Sequence, residues 1–154
     1  MYPERSDRAP VVMVIHPGAV LDDWTRAIAD RLAADGYIAI APDLASDDQS
    51  RSRKQALDAV RGYARKIPAA NGKVAVLGFE QGGKTGLEYA MTGTALNAAI
   101  AISAGTPPID RSYAGGVPVI SMSHDFMSDA AGANEAASHQ AWARVLDFLA
   151  RHVQ

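Results

Sequence analysis

The chain has 154 residues, 48% hydrophobic and 21% charged, with a formal net charge of −2. That length fits one domain over residues 1–154, and the composition is that of a folding chain rather than a disordered one. The near-zero charge offers no footprint for nucleic acid or an anionic membrane surface, and the absence of cysteine removes disulfides, thiol nucleophiles and cysteine-held metal centres.

The opening MYPERSDRAP is charged and lacks the apolar core of a signal peptide. No apolar run approaches the roughly 20 residues that span a bilayer. A soluble, cytoplasmic protein is expected, with no membrane partner.

Apolar runs alternate with helical patterns along the chain. VVMVI at Val11–Ile15 predicts a first strand, closed by His16-Pro17-Gly18. A helix is expected over Asp22–Asp35: acidic residues open it, Trp24, Ile28 and Leu32 recur every four residues, and Gly36 follows as the stop. YIAIA at Tyr37–Ala41 is the second strand, and a helix over Gln55–Ile67 ends before Pro68. KVAVL at Lys73–Leu77 is the third strand, followed by a glycine-rich turn and a helix to about Met91. Ala98–Ile102 and Val117–Met122 are the fourth and fifth strands, separated by a surface loop of little regular structure over Ala104–Gly116. A last helix, from about Glu135 to His152, gathers Ala141, Trp142, Val145, Phe148 and Leu149 on one face. Trp24 and Trp142 read as core residues, His139 and His152 as solvent-facing, and Arg51, Arg53 and Lys54 as a solvated helix start.

Strands that read as continuous apolar runs between helices predict a parallel sheet covered on both faces, a three-layer α/β sandwich of about five strands. In the order 2-1-3-4-5 the switch point lies between strands one and three, where ligands bind outside the carboxyl ends. The loops that meet there are His16-Pro17-Gly18 and Gly78–Gly83.

Gly78–Thr85 reads GFEQGGKT and satisfies two incompatible motifs. As G-x-x-x-x-G-K-T it matches a phosphate-binding loop, with Lys84 on phosphate and Thr85 on magnesium. As G-x-nucleophile-x-G it matches the strand–turn–helix elbow of hydrolases, with Glu80 at the nucleophile position. A glycine-rich turn with no chemistry is the third reading, and the eight residues alone do not choose.

The flanks bear on that choice. PVVMVIHPGAVLDDWTRAIADRLAADGYIAIAPDL resembles the dienelactone hydrolase family of α/β-hydrolases, which carries an apolar strand, a D-R-L-A helix and G-Y-x-A-x-A-P-D-L. KVAVLGFEQGG resembles the family's V-G-F-C-x-G-G elbow, and HDFMSDAAGANEAASHQAWARVLDFLARHV resembles its ending. The resemblance runs colinearly over most of the chain and implies a shortened α/β-hydrolase acting on a small ester, lactone or epoxide without a cofactor or metal.

Carried over residue by residue, the resemblance implies His124 as the catalytic histidine. It also implies backbone oxyanion donors at Gly18 and Gln81, since Pro17 has no N–H to offer. Three departures accompany it. Glu80 replaces the family's cysteine, Pro17 stands where the family has a glutamate, and the aspartate has no clear counterpart, Asp125 beside His124 being the nearest. His16 is a further candidate lining residue. Glu80 as a carboxylate nucleophile or base makes a working hydrolase. Glu80 folded into its own oxyanion hole makes a pseudo-enzyme that binds a ligand or partner. Loss of strands would leave a sheet edge that a homodimer can cover.

Overall fold

Runs of Val, Ile and Ala, which suit a pleated surface buried on both sides, build the sheet. A computed structural model describes residues 8–18, 20–44, 52–93, 95–102, 113–114, 116–122 and 135–154. Its strands are β1 (Ala9–Ile15), β2 (Ile38–Ile40), β3 (Ala70–Phe79), β4 (Ala98–Ile102), β5 (Tyr113–Ala114) and β6 (Val117–Met122). Its helices are α1 (Asp23–Ala34), α2 (Arg53–Ala64), α3 (Gln81–Met91) and α4 (Glu135–Val153).

The strand order is β2-β1-β3-β4-β6-β5. The five longer strands are parallel, in the order expected, and β5 joins β6 antiparallel. The short β5 corrects the expectation of an irregular loop over 104–116. Gly116 takes φ 84°, a conformation open to glycine, and lets the chain turn so that Ala114 pairs with Val117. Gly116 therefore serves a tight turn into β6.

Strand alternation sorts the core into two layers. Val11, Met13, Ile15, Val74 and Val76 face Leu57 of α2 and Leu87 of α3. Val12, Val14, Ala75, Leu77 and Phe79 face Ile28 and Leu32 of α1 and Trp142, Val145 and Leu149 of α4. Trp142 is buried as expected and its indole N–H donates to Asp35 at 2.8 Å. Trp24 meets the Phe79 ring edge-on at 4.6 Å. His139 is exposed, but His152 is half-buried against the Phe148 ring, a correction to its solvent-facing assignment.

The caps place the helix ends around the switch point. Asp22 accepts from the Thr25 N–H at 2.7 Å and starts α1 just beyond the first loop. Ser52 and Gln55 form a reciprocal capping box, so α2 begins at Arg53, two residues earlier than expected. It ends at Ala64, three residues earlier than expected, with Arg65 as its C-cap.

Helices α2 and α3 are tied by a polar bridge: the Tyr89 hydroxyl donates to Asp58 at 2.7 Å and accepts from Arg61 Nε at 3.3 Å. Burial, helped by the bond to Asp58, pushes the Tyr89 phenol up to about 12. A folded pKa above the unfolded value contributes stability that is complete below pH 10 and is lost as pH rises towards 12. Urea unfolding between pH 8 and 12 should show wild type losing about 2 kcal/mol more than Tyr89→Phe across that window. Parallel curves for the two proteins would show that the bridge carries no such linkage.

Candidate active site

Glu80 alone makes the turn between β3, which ends at Phe79, and α3, which begins at Gln81. It sits at φ 49° and ψ −118°, the one non-glycine residue with positive φ among the described residues. Such a conformation is costly for an L-residue with a side chain and persists only where its surroundings enforce it. Here two glycines do so. A Cβ on Gly78 would run into the backbone of Gly82, and a Cβ on Gly82 would run into the Ile15 and His16 carbonyl oxygens. The turn is then locked by its own backbone: the Glu80 N–H donates to Ile102 at 2.8 Å, and its carbonyl accepts from Lys84 at 3.1 Å.

The strain presents the Glu80 side chain outward at the carboxyl end of a central strand, where it is exposed. It makes no capping hydrogen bond to α3. The first N–H groups of that helix, Gln81 included, are therefore not covered by the neighbouring carboxylate, and the partial positive charge of the helix start stays open.

Beside this turn lies a cleft of about 170 Å³, walled by Ile15, His16, Pro17, Gly18, Gln81 and Gly82 at its base. The first loop and the start of α3 thus meet as the switch-point argument expects, bringing the oxyanion candidates Gly18 and Gln81 to one cavity. Leu44, Arg53 and Thr85 complete the wall; Thr85 was expected at a site only in the phosphate-loop reading, and neither Leu44 nor Arg53 was identified from sequence as a site residue. Leu44 follows the second strand's end, and the Ser52–Gln55 capping box was the available signal that α2 starts at this same rim. His124 and Asp125 lie outside the described residues.

His16 is 5% exposed, and neither of its ring nitrogens has a hydrogen-bond partner among the described residues. It stands near Asp22, whose carboxyl is held below the usual carboxylate range by hydrogen bonding from Thr25, with a small contribution from the charge of His16. Among the described residues no three His, Asp or Glu side chains gather to hold a metal ion.

The geometry does not suit a phosphate loop. Gly78 still belongs to β3 and Gly83, Lys84 and Thr85 already belong to α3, so a single residue remains where a phosphate loop needs several to wrap an anion. The Thr85 hydroxyl, buried, donates to the Gln81 carbonyl at 3.0 Å, and Lys84 is exposed on the first helical turn. Millimolar ATP or GTP with magnesium should leave the melting temperature unchanged. A site filled at 100 times its dissociation constant would add about 2.7 kcal/mol, so a rise of several degrees would reverse this assignment.

Residues 1–66 match the model of the dienelactone hydrolase family. Over these residues the chain is similar to that family. A Klebsiella pneumoniae subsp. pneumoniae structure named for dienelactone hydrolase superposes with a TM-score of 0.73, at 18% identity over 97% of this chain and 90% of that one. A dienelactone hydrolase-like promiscuous phosphotriesterase from metagenomic libraries gives 0.71, at 21% identity over 97% and 89%. A structure named m3DLH is 26% identical over 92% of this chain and 68% of that one, with a TM-score of 0.57. No curated protein sequence matches the chain. The dienelactone hydrolase-like fold accounts for the five parallel strands and the layered helices described above.

Proposed function

We propose that this dienelactone hydrolase-like protein hydrolyses a small carboxylic ester, lactone or epoxide, with Glu80 as the reacting carboxylate. The observation that carries this reading is the strained, glycine-enforced conformation of Glu80, which aims an uncapped carboxylate outward beside an open helix start. Strain of this kind is maintained where a side chain has a task, since a glycine would make the same turn without it.

Two chemical routes fit a carboxylate here. With an ester or lactone, Glu80 accepts a proton from water as the water oxygen bonds to the carbonyl carbon, and the N–H groups of Gly18 and Gln81 hold the negative carbonyl oxygen. The carbonyl then re-forms as the ester C–O bond breaks, and Glu80 returns its proton to the leaving alkoxide oxygen. With an epoxide, a Glu80 oxygen bonds to a ring carbon as the ring C–O bond breaks. Water activated by His124 then cleaves the resulting ester.

The test is turnover of small activated esters, lactones and epoxides by wild type, Glu80→Gln and Glu80→Cys. Wild type should be active and Glu80→Gln slower by at least about 100-fold, because an amide is neither base nor nucleophile. Glu80→Cys should gain modest esterase activity that His124→Ala removes. Wild-type turnover that survives Glu80→Gln would show that Glu80 is not the reacting group. Inactivity of all three proteins would assign the fold a binding role instead.

A further inference from the structure

The cleft at the switch point adjoins a second cavity. This one, of about 220 Å³, opens between α2 and α3, and Arg53 and Thr85 line both. On α3 its wall is Thr85, Glu88, Tyr89 and Thr92, a spacing of three and four residues that puts all of them on one helical face. Leu57 lines it from α2. A helix rises about 1.5 Å per residue, so the face from Thr85 to Thr92 makes a groove about 10 Å long that begins at the cleft.

The polar groups along this groove are already occupied by the protein itself. The Thr85 hydroxyl donates to the Gln81 carbonyl at 3.0 Å, and the Thr92 hydroxyl donates to the Tyr89 carbonyl at 2.7 Å. The Tyr89 hydroxyl is bonded to Asp58 and Arg61, and the Lys54 ammonium at the rim donates to Asp58 at 2.6 Å. Arg53 and Glu88 are exposed to solvent. The surface that the groove offers a ligand is mostly carbon. An apolar arm laid there strands no donor or acceptor, whereas a polar arm would give up its water for groups that have nothing to return.

We propose that the groove holds the acyl arm of the substrate, an ester whose linear aliphatic acyl chain is long enough to fill it. An extended chain advances about 1.3 Å per carbon, so about eight carbons span the groove. The orientation follows from the hydrolase reading, on which this inference rests. The leaving alkoxide takes its proton from Glu80 and so faces that turn, whereas the groove recedes from Glu80 along α3. A carbonyl held at Gly18 and Gln81 therefore sends its acyl chain past Thr85 towards Thr92.

The experiment measures kcat/KM for the 4-nitrophenyl esters of acetate, butanoate, hexanoate and octanoate on wild type, Glu88→Trp and Thr92→Trp. Each methylene that enters the groove should raise the wild-type value about 2–4-fold, up to the octanoate. Glu88→Trp, an exposed change over the middle of the groove, should abolish the rise beyond butanoate. Thr92→Trp, at the far end, should remove only the last step to octanoate. Tryptophan adds apolar surface, so either loss reports blocked space rather than reduced hydrophobicity. Should one variant fail to fold, the other decides. Equal use of acetate and octanoate by wild type would overturn the inference. So would an octanoate advantage over hexanoate that persists in either folded variant, or a rise along alkyl acetates up to octyl acetate that the octanoate series lacks. If no ester is turned over, saturation-transfer NMR with methyl octanoate and methyl acetate keeps the two claims apart. Binding of methyl octanoate that Glu88→Trp removes would uphold the groove and reject the hydrolase reading. Absence of chain-length-selective binding would reject the groove.

Discussion

Replacing Glu80 with glycine should abolish turnover and, in the same protein, raise the melting temperature. Glutamate at φ 49° and ψ −118° carries backbone strain on the order of 1–3 kcal/mol. Glycine adopts that conformation freely but loses about 0.5–1 kcal/mol through its greater freedom in the unfolded chain. The net gain is about 1 kcal/mol, or about 2–4 °C for a chain of this size. Glu80→Gln keeps the side chain and the strain, so it should lose turnover and melt with wild type. The pair separates chemistry from conformation. A glycine variant that still turns over substrate would remove Glu80 from the mechanism, and one that melts lower would show that the turn is not strained. On the proposed function that opposition is expected, because a strained residue that reacts trades stability for the position of its side chain.

Gly82→Ala should be strongly destabilising. The added methyl group meets the Ile15 and His16 carbonyl oxygens at the end of β1. Those are backbone atoms beside the central strand and do not move aside as a flexible side chain does. Overpacking of this kind costs about 3 kcal/mol, a fall of about 6–12 °C. Gly78→Ala should behave alike, since its methyl group meets Gly82 and Gly83. Gly62→Ala is the control: it lies within α2 with nothing within 4 Å of the added carbon. It should stabilise by about 0.5–1 kcal/mol through helix propensity. Thermal melting of the three variants checks the contrast. Equal melting of Gly82→Ala and wild type would mean that the approach of α3 to β1 is looser than described.

Much of the architecture was legible because burial on both faces writes itself into composition. VVMVI, KVAVL and AAIAI are continuous apolar runs, and such runs belong to strands that helices cover on both sides. The elbow spacing of Gly78, Glu80 and Gly82 was equally readable, since only glycine tolerates backbone that close. Where sequence reading fell short, a tertiary contact was responsible. Gly116 serves a hairpin only because β6 lies beside it to receive β5. His152 is half-buried because Phe148, one turn earlier, supplies a ring for it to pack on. Arg53 looked like an ordinary solvated helix start, and it joins the cleft because α2 begins at the rim where the first loop and α3 converge.

The sequence by itself therefore determined the α/β sandwich and its strand order. Each follows from local rules of periodicity, capping and steric permission that residues obey within a few positions of themselves. Only the tertiary structure decided between a phosphate loop and a strained turn. The eight residues GFEQGGKT fit both, and the choice turns on where β3 stops and α3 starts against β1. It likewise decided that Glu80 leaves the helix start uncapped and that His16 is buried without a hydrogen-bond partner among the described residues. Capping and burial depend on atoms brought together from strands and helices far apart in the chain, and no local pattern records them.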